Sequence, residues 1–119
     1  MDSISFRQNA AMMAKYMTLK EEKVETLIQW ILDADRKTYV YGYTDLLKLD
    51  IRESLPNVKA KTLIIGAPFP DAETVRTTFE NQFKDVQNKQ VVIAEDSRHF
   101  IMFDQEDWFY EKVNSFLAK

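Results

Sequence analysis

Apolar residues in the first fifty positions recur at the spacing of α-helices. Residues 6–16 are rich in strong helix formers and predict a first helix. Thr18 and Glu21 have the spacing of a capping box, and the apolar positions behind them predict a second helix over about 19–35: Val24, Leu27, Ile28, Ile31 and Leu32. A third, short helix is expected to begin at residue 44 or 45. These apolar stripes are more typical of surfaces that pack in a core than of binding sites.

The pattern changes character after Pro56. A short β-rich run, Thr62 to Ile65, ends at Gly66 and predicts a buried strand, and Gln90 to Ala94 predicts a second one. Helical spacing returns between the two strands and again over about 105–117. A strand–helix–strand–helix order predicts parallel strands and the α/β fold class. We therefore expect a helical segment over 1–55 and a βαβα portion over 56–119.

Composition restricts the possible partners. The chain has 119 residues and a formal net charge of -3, which argues against nucleic acid and against an anionic membrane surface as partners. It has no cysteine, so it has no disulfide and no thiolate ligand, and a cytoplasmic location is expected. Two glycines cannot form a glycine-rich phosphate loop, and one histidine with scattered carboxylates has no metal-ligand spacing. We expect neither cofactor nor metal.

Two polar residues are expected at the edge where the parallel strands end. Asp71 follows the first strand and His99, the single histidine, follows the second. Reactive groups of open parallel sheets lie at this edge, and a carboxylate there can orient an imidazole and stabilise its protonated form. The residues alone leave a second interpretation open, in which His99 is an ordinary surface or structural side chain.

The segment around His99 resembles a known family. Ser97-Arg98-His99-Phe100-Ile101-Met102-Phe103-Asp104-Gln105-Glu106-Asp107-Trp108-Phe109 is similar to the histidine loop and last helix of α/β-hydrolases, although Glu106 stands where proline is usual. The segments 55–66 and 43–52 resemble the approach to the penultimate strand and the end of a helical cap. The resemblance implies a partial α/β-hydrolase fold, a helical cap followed by the βαβα unit. It also implies that His99 is the catalytic histidine, with Asp71, two places later than usual, as a candidate acid.

The family's nucleophile is missing from the chain. It lies in a Gly-x-Ser-x-Gly turn, and none of the five serines has that context: Ser3, Ser5, Ser54, Ser97 and Ser115. The resemblance therefore implies the C-terminal fragment of a serine-type hydrolase of small ester-like substrates, which is inactive alone and whose partner is the missing N-terminal portion. The alternative is a non-catalytic module that self-associates, because open strand edges and uncovered apolar faces favour a homo-oligomer.

Overall fold

The structure, a computed structural model, describes residues 3–118. The chain divides into two compact units, Met1–Asp50 and Ile51–Lys119. The boundary predicted from the sequence lies a few residues later, between residues 55 and 56. Within residues 3–118, no helix is both long and apolar enough to cross a lipid bilayer.

The first unit contains three helices: α1 (Ser3–Met17), α2 (Glu21–Asp33) and α3 (Arg36–Lys48). Helix α1 packs against α2, and the side chains at the centre are two alanines of α1 and two aliphatic residues of α2: Ala10, Ala14, Leu27 and Ile28. The small alanine side chains allow close approach of the two helices. The buried Thr18 lies in the connection, where its Oγ1 accepts a hydrogen bond from the backbone N–H of Lys20 at 3.1 Å. Thr18 is therefore not the N-cap of α2, since Lys20 occupies that position.

Helix α3 begins well before the position predicted from the sequence. Asp35 is its N-cap, and the Asp35 carboxylate accepts a hydrogen bond from the Thr38 backbone N–H at 2.8 Å. That hydrogen bond also lowers the pKa of Asp35. The prediction of a start at residue 44 or 45 overlooked this cap. No residue of α3 is buried, so the expectation that its apolar stripe faces a core is wrong as well.

The second unit consists of a short 3-10 helix (Arg52–Asn57), β1 (Thr62–Gly66), α4 (Ala72–Gln82), β2 (Lys89–Ile93), α5 (Ile101–Asp104) and α6 (Glu106–Leu117). The two strands pair in parallel from Thr62↔Lys89 to Gly66↔Ile93, and α4 packs against both of them. The interior of this unit is apolar and is formed by Leu55, Val75, Val86, Ile93, Ala94 and Ile101. Because the strands are parallel, the segments that follow β1 and β2 leave the sheet at the same edge.

The predicted fold class is wrong. The described residues are 63% helical with only two short parallel strands, so the protein is a small, mostly helical one and not an α/β protein with a partial α/β-hydrolase fold. The physical reason is the small extent of the sheet, which contains five residues of each strand and no third strand within residues 3–118. The strand–helix–strand pattern correctly predicts the order of the elements in the second unit. Most residues of the chain, however, lie in helices.

Candidate functional site

His99 lies in the segment that joins β2 to α5, on the edge where the parallel strands end. Its side chain is exposed. Within residues 3–118 the imidazole makes no hydrogen bond or ion pair, and its ring contact is with Phe100, edge to face at 5.2 Å between centroids and 84° between planes. An exposed imidazole without a polar partner can exchange a proton with any group that reaches it.

The segment that contains His99 is fixed by hydrogen bonds between side chains and backbone. The buried Ser97 donates its hydroxyl proton to the Ala94 carbonyl at 2.8 Å. The Arg98 backbone N–H donates to Asp104 Oδ2 at 2.7 Å, and Gln105 Nε2 donates to the Asp96 carbonyl at 2.9 Å. His99 is therefore an exposed side chain on a well-anchored loop.

Asp71, the candidate acid, is the N-cap of α4. Its two carboxylate oxygens accept hydrogen bonds from the backbone N–H and the hydroxyl of Thr74, both at 2.8 Å. The backbone hydrogen bond from Thr74 is the main reason why the pKa of Asp71 lies below its ordinary value, and the hydroxyl contributes further. Within the described part of the chain, Asp71 makes no hydrogen bond to His99. The sequence contained a sign of this capping role, because aspartate before a helical run is a preferred N-cap.

Ser97 is the serine nearest to His99 along the chain, but its hydroxyl is unsuited to nucleophilic attack. The side chain is 6% exposed, and its proton is already bonded to the Ala94 carbonyl. A nucleophilic serine needs its proton directed at a general base and its oxygen open to the substrate. Ser97 therefore anchors the loop and is not placed to act as a nucleophile.

A shallow cleft lies beside the loop, at the carboxyl end of β2. Its volume is about 300 Å³, and its lining is Ile93, Ala94, Glu95, Asp96, Gln105 and Trp108. The cleft lining includes two carboxylates, those of Glu95 and Asp96, and no histidine. Among residues 3–118, no group of three or more histidine, cysteine or acidic side chains could hold a metal ion.

Comparisons with protein-family profiles, curated proteins and solved structures found no match to this chain. Asp104 and Gln105 were not among the predicted site residues. The pattern gives no sign of their contacts, because a hydrogen bond that closes a loop of this length has no fixed sequence spacing.

Proposed function

We propose that this chain carries the acid–base histidine of a serine-type hydrolase, that the nucleophile lies outside these 119 residues, and that the chain alone hydrolyses no ester. One observation supports this most strongly: His99 is exposed, lacks a polar partner within residues 3–118, and lies on an anchored loop at the carboxyl end of a parallel strand pair. The likeness of residues 97–109 to the α/β-hydrolase histidine loop adds support. The likeness does not extend to the architecture, which is mostly helical.

In this proposal His99 acts on a serine supplied by another segment or another chain. The imidazole accepts the serine proton as the hydroxyl attacks a small ester-like substrate, and it then gives that proton to the leaving group. No cofactor is needed for this chemistry. A carboxylate must still orient the imidazole. Asp71 could do so only after its side chain leaves Thr74, so an acid from the nucleophile-bearing segment is an equal candidate. The cytoplasmic location stays a prediction.

A fluorophosphonate probe, which labels activated serines, tests whether the chain alone lacks a nucleophilic serine. The purified protein is treated with the probe and the modified residues are located by mass spectrometry. We expect no labelling at any of the five serines, because none lies in a Gly-x-Ser-x-Gly sequence. Specific labelling that disappears in His99→Ala would contradict the proposal, because the chain would then contain its own nucleophile.

The DNA directly upstream tests the other half of the proposal. A Gly-x-Ser-x-Gly sequence encoded in frame, or in an adjoining reading frame, is expected. Removal of the imidazole from the combined protein should then lower ester hydrolysis by about 10²- to 10⁴-fold, the usual contribution of a general base. If the complete coding region lacks such a sequence, the hydrolase proposal fails.

Self-association is a second candidate function, and α3 favours it. Val40, Tyr43 and Leu47 lie on one face of the helix, and more than half of each side chain is exposed. An exposed apolar stripe of this length favours a partner, and a second copy of the chain supplies a matching stripe. Sedimentation equilibrium should show a dimer that Leu47→Glu dissociates and Thr38→Glu, on the polar side, leaves intact. A monomer at high concentration would exclude this function.

A further inference from the structure

The backbone on both sides of His99 is held by Asp104 and its neighbours. The Arg98 N–H, immediately before the histidine, donates to Asp104 Oδ2 at 2.7 Å. The Phe100 carbonyl, immediately after it, accepts from the backbone N–H groups of Phe103 and Asp104 at 2.9 and 3.1 Å. The hydrogen bond from the Arg98 N–H to Asp104 therefore closes a loop, residues 98–104, that contains the histidine.

Two aromatic side chains of this loop also restrict the position of the imidazole ring. Phe100 stacks on Phe103 with 5.3 Å between ring centroids and 17° between planes. The His99 ring meets the same Phe100 ring edge to face at 5.2 Å. Phe103 lies on α5 directly before Asp104, so the hydrogen bond between Asp104 and Arg98 also fixes the position of Phe103. Phe103 in turn positions the Phe100 ring that contacts the imidazole.

We propose that Asp104 is the positioning residue for His99: its carboxylate holds the Arg98 N–H, closes the loop and keeps the imidazole in one orientation. A hydrogen bond to an ionised acceptor is about twice as strong as a neutral one, so a carboxylate suits this function better than an amide. Asp104 acts through the backbone and through Phe100, because the imidazole makes no hydrogen bond within the described residues. This inference rests on the proposed function in one respect: the histidine that Asp104 orients is the proposed proton-transfer group.

The test uses the fact that the chain has a single histidine, so its ring gives one set of NMR signals. The ring signals of His99 and the hydrogen exchange of the Arg98 amide are measured in the intact chain and in Asp104→Ala, Asp104→Asn and Asp107→Ala. The last variant is the matched control. It removes the same charge from an exposed position in the first turn of α6, three residues away.

In Asp104→Ala we expect the His99 signals to move toward those of an unstructured histidine, because the edge-to-face contact with Phe100 is lost. Exchange at Arg98 should become roughly 10- to 150-fold faster, as loss of a charge-assisted hydrogen bond implies. Asp104→Asn keeps an acceptor oxygen and should lie between the two states. Asp107→Ala should match the unmodified chain at both positions.

Unchanged His99 signals in a folded Asp104→Ala would overturn the inference. A uniform rise of exchange throughout the unit, with the ring signals following global unfolding, would also overturn it, because that is a purely structural role. If Asp104→Ala fails to fold, unchanged Arg98 exchange in Asp104→Asn is the refuting result. None of these measurements requires hydrolysis, so serine labelling by the fluorophosphonate refutes the proposed function without affecting this inference.

Discussion

Substitution of Gly66, the last residue of β1, tests how closely α4 packs against the carboxyl end of the strands. A Cβ added at Gly66 would lie 2.6 Å from Phe79 Cε2 and 3.0 Å from both Ile93 Cδ1 and Val75 Cγ1. Carbon atoms in contact prefer about 3.5–4.0 Å, so the Phe79 ring must move by about 1 Å away from the strand. Overpacking of this kind costs about 1–3 kcal/mol, and the lower flexibility of alanine in the unfolded chain returns about 0.4–1 kcal/mol. We expect Gly66→Ala to lower the free energy of unfolding by about 1–2 kcal/mol.

Gly42→Ala is the matched control for this prediction. Gly42 lies inside α3, a Cβ there meets nothing within 4 Å, and neither glycine has a positive φ. Alanine in a helix interior is favoured over glycine by about 0.5–1 kcal/mol, so this variant should be as stable as the parent or more stable. Urea unfolding followed by circular dichroism measures both changes. Equal or greater stability of Gly66→Ala would refute the close approach of α4 and β1.

Val86 is 1% exposed, so Val86→Ala should lower the free energy of unfolding by about 2 kcal/mol in urea titrations, whereas Met12→Ala, at 56% exposure, should change it by less than about 0.5 kcal/mol. His99→Ala should change stability by less than about 1 kcal/mol in the same titrations, because the ring is exposed; a larger loss would make His99 a structural residue. Asp71 has a lowered pKa in the folded chain, so its cap stabilises fully above the unfolded value of 3.8 and is lost as the pH falls through the folded value. Acid titration should show this loss below about pH 4 in the parent and not in Asp71→Asn.

The sequence predicts individual elements well where two signals agree. The run from Thr62 is β-branched and ends at glycine, and the observed β1 is Thr62–Gly66. The final helix was predicted over about 105–117, and α6 is Glu106–Leu117. The predicted start of α3 is wrong because helical spacing alone does not mark where a helix begins, and the cap at Asp35 does.

The fold class could not be predicted because periodicity reports local structure and not the extent of a sheet. Two strand signals between helices are compatible with a large parallel sheet and with an isolated pair. Over residues 3–118 the structure has the isolated pair. The candidate site could likewise be predicted only in part from the sequence. His99 could be found as the single histidine after a strand signal, but the contacts of Asp71 with Thr74 and of Asp104 with Arg98 are known only from three-dimensional geometry.

Hydrolysis of an activated ester by the purified chain, beside His99→Ala, tests the central claim most directly. The claim is that His99 is a proton-transfer group without a nucleophile, so the chain should give only background turnover of the ester, below that of free imidazole at equal concentration, and His99→Ala should leave it unchanged. Turnover roughly 100-fold or more above imidazole, abolished by His99→Ala, would contradict the account, because only a positioned nucleophile or oxyanion site provides that acceleration.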